Sequence, residues 1–211
     1  YSVTVTNVAG TVTSGTATLT VQVPPAITAQ PQSTTVIAGS LATFSVTASG
    51  TAPLAYQWQR DGTNIAGGTS ASFTLPAAQP SDAGNYSVTV TNVAGTVTSG
   101  TATLTVQVPP AITVQPQGIS IITGGTASLS VLVSGTPPFT YQWRRNGSAI
   151  SDATSSVYTI RQIQKTDEGA YDVMVSNRAG IITSGTAFIT VLSAPSLSPV
   201  ITSTLKATGT Y

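Results

Sequence analysis

The chain contains no cysteine and no histidine. Those two absences remove thiolate nucleophiles, zinc sites, disulfide frameworks and the one side chain that ordinarily titrates near neutrality. Charge is scarce too. Asp, Glu, Lys and Arg make up 6% of the 211 residues, against roughly 25% in ordinary globular domains, and the formal net charge is +1. Neither a basic stripe for phosphates nor an acidic tail for cations can be built from so few groups, which excludes nucleic acid as a partner. No apolar run approaches the ~18 residues needed to cross a bilayer. Tyr1 opens in the middle of a pattern and not on a basic and then apolar signal segment. No stretch of ten or more residues carries apolar groups at helical spacing, because Gly or Pro interrupts every window. Lack of cysteine does not by itself choose a compartment.

What is present is repetition. Tyr1 to Thr28 recurs letter for letter as Tyr86 to Thr113. Trp58 and Trp143, and likewise Tyr1, Tyr86 and Tyr171, stand 85 positions apart. A period of that length is one small domain, so 211 residues hold two complete units and pieces of others. Within a unit the alternation is of period two, as in Phe44, Val46 and Ala48 against Ser45 and Thr47, which reads as half-buried strands. Asp61-Gly62 and Asn146-Gly147 occupy equivalent places after the Trp-bearing segment and favour a two-residue type I′ hairpin. Short antiparallel strands with one apolar face must stack as two sheets or close as a barrel. The sandwich is the smaller assumption.

A constellation of residues then falls into place. Trp58, Asp82-x-Gly84-x-Tyr86-x-Val88 and Asn92-x-x-Gly95 recur as Trp143, Asp167-x-Gly169-x-Tyr171-x-Val173 and Asn177-x-x-Gly180. This resembles the strand C, E–F corner, strand F and F–G turn of intermediate-set immunoglobulin domains. The resemblance implies an all-β fold of tandem immunoglobulin-like β-sandwiches with Greek-key connections, arranged as an elongated array. Where that family usually places its two inter-sheet cysteines, this chain has Val46 with Val88 and Val131 with Val173. Two buried valines contribute about 1.5–3 kcal/mol each, comparable with the ~2–4 kcal/mol of a disulfide, so the fold can stand without the bridge. In phase with the repeat, Ala42, Phe44, Val46, Tyr56, Trp58, Phe73, Leu75, Tyr86, Val88, Val90, Leu104 and Val106 point to one interior. Their counterparts 85 positions on point to a second. Each Trp is expected across its valine pair, and each F-strand Tyr is expected to turn its hydroxyl to backbone at the corner, because a buried phenol needs a partner.

The expected boundaries are a partial repeat at 1–23 with strands F and G only, complete domains at 24–108 and 109–192, and a linker with the first strand of a further domain at 193–211. The last stretch, SAPSLSPVITSTLKATGTY, is similar to the opening of the cadherin-like immunoglobulin repeats of bacterial surface proteins. A piece cut from a longer bacterial protein at both ends is the expectation. Val23-Pro24-Pro25 and Val108-Pro109-Pro110 read as short, stiff joints.

No site for chemistry emerges. Asp82, Asp167 and Glu168 read as caps on corner amides, since calcium wants six to eight oxygens and several clustered carboxylates. Alternation sends Tyr141, Trp143 and Arg145 to one face and Arg144 to the other, so the rings are core. Phe188, aligned with Thr103, points outward, and scattered apolar surface groups carry little meaning. Asn85-Tyr86-Ser87 and Asn146-Gly147-Ser148 match the N-glycosylation pattern, which is idle in a bacterial source. Ser and Thr lack any activating base. The resemblance therefore implies no enzyme and no cofactor, but a structural spacer of a large secreted or cell-surface protein whose partners are the neighbouring domains of the same chain. Two alternatives stay open: an adhesion module gripping a protein or polysaccharide, and an accessory region of a large secreted enzyme.

Overall fold

The computed structural model describes residues 1–193. All regular structure among them is strand apart from two single 3₁₀ turns, Pro80–Asp82 and Lys165–Asp167. The chain divides into one unit from Tyr1 to Val108 and another beginning at Pro109.

In the first unit a hairpin of β1 (Thr4–Asn7) and β2 (Gly10–Thr13) precedes β3 (Ala26–Ala29), β4 (Thr34–Ile37), β5 (Ala42–Ser45), β6 (Thr47–Ser49) and β7 (Ala55–Arg60). There follow β8 (Thr63–Asn64), β9 (Ser72–Leu75), β10 (Gly84–Asn92), β11 (Gly95–Thr98) and β12 (Ala102–Gln107). One layer runs in the order β4-β12-β10-β7-β8, with β11 folded back on β10, and the other is made of β3 with β6 and β5 with β9. All pairs are antiparallel except β4 with β12, the first and last strands of that layer, which run parallel. Alternating Val and Thr build these strands because β-branched side chains suit a pleated surface with one buried face. Asp61 and Gly62 both take positive φ, 49° and 80°, and close β7 onto β8 as the expected type I′ turn.

The second unit repeats this with β13 (Ala111–Val114), β14 (Ile119–Ile122), β15 (Ala127–Ser130), β16 (Leu132–Ser134) and β17 (Thr140–Arg145). It continues through β18 (Ser148–Ala149), β19 (Val157–Ile160), β20 (Gly169–Asn177), β21 (Gly180–Thr183) and β22 (Ala187–Leu192). Its main layer is β14-β22-β20-β17-β18, again with a parallel pair, β14 and β22. Asn146 and Gly147 form the same turn, at φ 50° and 82°.

Between the layers of the first unit lie Ala42, Phe44, Val46, Trp58, Tyr86, Val88, Val90, Leu104 and Val106, with Tyr56, Phe73 and Leu75 half-buried against them. The second unit buries Ala127, Leu129, Val131, Trp143, Tyr171, Val173, Val175, Ile189 and Val191, flanked by Tyr141, Tyr158 and Ile160. Ala78, Ala102, Ala153, Ile163 and Ala187 also belong to these cores. Residues in loops and at strand ends, outside the alternation of a strand, carry little pattern of their own.

The first piece of the chain departs from expectation. Tyr1 to Val23 was expected to hold strands F and G, but residues 17–22 form no strand, whereas the identical letters at 102–107 form β12. The reason is partnership. β12 is held by β4 on one side and by the start of β10 on the other, and residues 17–22 have no neighbour equivalent to β4. Only a pair of bonds between Tyr1 and Ala17 survives. The apolar face is open: Val3 is 63% exposed where Val88 is 0%, and Leu19 is 65% exposed where Leu104 is 1%. The reading of 193–211 as a following strand lies, from Ala194 on, outside the described residues.

Candidate functional site

The residues marked by sequence gather into three places in each unit: the tryptophan core, the corner before β10, and the turn after it. At the centre Trp58 and Val88 are cross-strand neighbours on β7 and β10, as are Trp143 and Val173 on β17 and β20. Both indoles are fully buried, and their Nε1 groups donate to Ser70 O and Ser155 O at 2.8 Å. Val46 and Val131 face the same cores from the opposite layer, their amides donating to Ala71 O and Ser156 O at 3.0 Å. Phe44 stacks on Tyr86 with ring centres 4.6 Å apart, a contribution of about 0.5–1.5 kcal/mol beyond area burial.

At the corner Tyr86 Oη donates to Asp82 O and Tyr171 Oη to Asp167 O, each at 2.7 Å. Asp82 Oδ2 accepts from Gln79 N and Asp167 Oδ2 from Gln164 N at 2.8 Å, so both carboxylates cap the 3₁₀ turn. Arg60 and Arg145 reach the same carboxylates at 3.4 and 3.5 Å. Burial raises the Tyr86 phenol above its ordinary value, partly offset by a hydrogen bond from Arg60, and burial also raises Tyr158 and Tyr171. A Cβ on Gly84 would lie 2.7 Å from Asp61 Oδ2, and one on Gly169 would lie 2.8 Å from Asn146 Oδ1. Those side chains cannot simply swing away, because Asp61 Oδ1 accepts from Asn85 N and Asn146 Oδ1 from Ala170 N.

At the far turn Asn92 Oδ1 accepts from Ala94 N, while its Nδ2 donates to Thr51 O and to Val23 O. Gly95 opens β11 beside it with φ 158°. Asn177 Oδ1 likewise accepts from Ala179 N and Gly180 N, and its Nδ2 donates to Thr136 O. The grip of Asn92 and Thr51 on Val23, completed by Thr51 N to Val23 O and Val23 N to Thr51 Oγ1, had no sequence signal beyond the Asn itself.

An open cleft of about 470 Å³ lies beside the first corner, floored by Ile65, Phe73 and Tyr86 and rimmed by Arg60, Asp61 and Asn64. A matching cleft of about 460 Å³ lies at Arg145, Asn146, Ile150, Tyr158 and Tyr171. Their rim groups already bond to backbone or, for Asn64, to the Gln59 side chain, and no set of three candidate metal ligands clusters among the described residues. Arg144 pairs with Asp172 at 2.6 Å on the outer face, and Phe188, on the same face, is 64% exposed. The second unit adds one feature that sequence reading missed: Glu168 Oε1 accepts both from Lys165 Nζ and from Val191 N at 2.7 Å, where the first unit has Ala83. The sequons sit at exposed Asn85, which accepts from Thr103 Oγ1, and at exposed Asn146 in the turn.

A family model described as immunoglobulin domain matches residues 24–92 and 109–177. Among curated relatives, a mouse basement membrane-specific heparan sulfate proteoglycan core protein is 36% identical over 121 residues, covering 56% of this chain and 3% of that protein. Protein sax-3 of Caenorhabditis elegans is 34% identical, covering 48% of this chain and 9% of its own length. Human hemicentin-1 is also 34% identical, covering 48% and 2%. The chain thus spans a small fraction of these relatives. They are metazoan, so the bacterial source expected from the tail is not supported. In fold, the I67–I69 fragment of titin superposes with a TM-score of 0.67 at 24% identity, covering 81% of this chain and 66% of that one. Sidekick-1 immunoglobulin domains 1–4 give 0.66 at 20%, covering 88% and 55%.

Proposed function

The chain belongs to the immunoglobulin domain family, and on that footing we propose that its units serve as a non-catalytic structural module, spacing or displaying other parts of a large secreted or cell-surface protein. The observation that carries this reading is the parallel pairing of each unit's early strand with its last, β4 with β12 and β14 with β22. Tension applied through the ends of a unit pulls those two strands past each other, so the ladder bonds share the load and must break together. Tyrosine corners and tryptophan cores brace the strands behind them. The extracellular setting draws its support from the proteoglycan core protein and the other relatives above.

The test is mechanical. Tethered by its two ends and stretched, the whole chain should give two resolved unfolding events, each releasing roughly 28 nm from about 80 residues at ~3.5 Å apiece. Featureless extension would defeat the reading, since forced unfolding reports the barrier each unit opposes to opening. A second reading, adhesion to a protein or polysaccharide, is favoured by Phe188, an exposed aromatic on β22 where the first unit carries Thr103.

A further inference from the structure

We propose that the open edge of β9, and of β19 in the second unit, is a docking site for an extended segment of another polypeptide, which adds as a strand and lays alternate apolar side chains into the cleft beside it. The edge follows from the ladder. β9 pairs with β5 alone, Ser45 opposite Ser72, Phe44 opposite Phe73 and Thr43 opposite Thr74. Val46 N donates to Ala71 O at 3.0 Å, which makes theirs a hydrogen-bonded pair, and alternation then turns the N–H and C=O of Ser72 and Thr74 away from β5. The Thr43 and Thr74 hydroxyls agree at 3.2 Å, because side chains lie closer in the non-bonded pairs. Among the described residues no partner reaches those backbone groups. Val157 and Thr159 stand the same way on β19, where Val131 N donates to Ser156 O and the Ser128 and Thr159 hydroxyls lie 3.2 Å apart.

Residues 65–71, between β8 and β9, do not cover that edge because the tryptophan holds them. Ile65 N donates to Trp58 O, Trp58 N to Gly68 O and Trp58 Nε1 to Ser70 O, at 2.9, 2.7 and 2.8 Å. A Cβ on Gly68 would lie 3.0 Å from Trp58 Cβ, so the link lies close against β7. The second unit repeats this with Ile150, Ala153 and Ser155 on Trp143. What remains between β8 and β9 is the cleft, lined by Ile65, Phe73, Leu75 and Tyr86. Phe73 and Leu75, which alternate with the open ladder groups, turn inward and stay half-buried. A strand laid along Ser72 and Thr74 continues the pleat, so every second side chain of it falls over the cleft. Neither β9 nor β19 carries a charge or a proline, the usual guards of an edge.

Charge selects the occupant further at the first unit. Its rim holds Arg60, Asp61 and Asp82, and Arg60 pairs with Asp82 at 3.4 Å, which leaves the exposed Asp61 as a net negative charge. A lysine or arginine beside the apolar positions of the added strand meets it. The second cleft has Asn146 at that place, and Arg145 is balanced by Asp167 at 3.5 Å, so it exerts no such preference. Backbone donors and acceptors at strand spacing call for a polypeptide and not a sugar. The edge of a second copy fits less well, because its inward side chains, Phe73 and Leu75, are already packed against their own core and leave the facing cleft unfilled.

The experiment titrates the whole chain, isotope-labelled for NMR, with a synthetic peptide of alternating threonine and valine that ends in two lysines. Amide shifts should centre on Ser72, Thr74, Val157 and Thr159, and hydrogen exchange at those four amides should slow as the peptide supplies their partners. A peptide N-methylated on the residues that face the edge, with its side chains unchanged, should do neither. Exchanging the lysines for glutamates should weaken binding at the first unit by about twofold to fivefold, the scale of one exposed ion pair, and leave the second unit unmoved. Asp61→Asn, which gives the first unit an amide where the second has Asn146, should remove that difference. Ser72→Pro deletes one edge N–H where an edge strand tolerates proline, and should weaken the first unit alone. Should that variant fail to fold, the methylated peptide on the unaltered chain still decides. Equal binding by the methylated peptide, shifts confined to other faces, no response at millimolar peptide, indifference of the first unit to lysine against glutamate, or slowing of the four amides by raised protein concentration alone, which would mark pairing between copies, would each overturn the proposal.

Discussion

The Tyr86 hydroxyl closes the corner of its own strand by donating a 2.7 Å hydrogen bond to the carbonyl oxygen of Asp82, four residues earlier. The ring is buried, so the bond fixes both the entry into β10 and the edge of the core. Tyr86→Phe keeps the ring and leaves the carbonyl unpaired. A loss of about 1 kcal/mol is expected, within the range for one neutral bond, read as a lower denaturant midpoint with an unchanged slope.

Gly84→Ala should cost more than a glycine-to-alanine change in an open strand. The new methyl group would stand 2.7 Å from Asp61 Oδ2, and Asp61 moves aside only by giving up Asn85 N. A destabilisation of roughly 1–3 kcal/mol is expected from crowding and the lost bond. The double variant Gly84→Ala with Asp61→Gly should recover part of it, since glycine also suits the positive φ of that turn. Equal loss in single and double variants would show that the clash is not the cause.

Acid should loosen the second unit at a place where the first has nothing to lose. The bond from Lys165, and then that from Val191 N, hold the Glu168 carboxyl below its ordinary range. A lowered native pKa means the stabilisation is full above the usual carboxylate value of about 4.3 and drains away as pH falls through the native one. Hydrogen exchange at Val191 N, corrected for intrinsic rate, should accelerate as pH drops through that window. In Glu168→Gln the amide should be less protected at neutral pH and the acid dependence should flatten.

The valine pairs offer a stability test. Val46→Cys with Val88→Cys restores the cysteines that the family usually carries at these positions, within a core both side chains already share. Oxidised, the double variant is expected to gain about 2–4 kcal/mol over its reduced form, measured as a shift in unfolding midpoint on adding reductant. Failure to form the bridge would show that the two layers sit too far apart here for sulfur to cross.

Alkaline pH supplies the opposite limb. Burial raises the phenols of Tyr86, Tyr158 and Tyr171, so their contribution is whole below the ordinary value of about 10 and is lost as pH climbs through the raised native values. Ultraviolet titration should show these three ionising late, together with loss of Trp burial. Early ionisation with intact Trp fluorescence would contradict the buried placement.

The 85-residue period, the strand alternation, the type I′ turns at Asp61 and Asn146, and the core residues from Phe44 to Val106 were legible because each rests on local rules: side chains alternate along a strand, and Asn or Asp before Gly tolerates positive φ. The bond of Glu168 to Val191 N and the grip of Thr51 and Asn92 on Val23 were not, since each joins residues far apart in the chain that no spacing brings together. The sharpest division lies within one set of letters. Tyr1 to Val23 and Tyr86 to Val108 share every residue, and sequence alone settled for both that they form a Val-Thr hairpin with one apolar face. Only tertiary structure decided that Leu104 is buried and Leu19 is not, because a strand cannot cover its own face or pair its own edge, and β4, β7 and the opposite layer stand beside just one of the two.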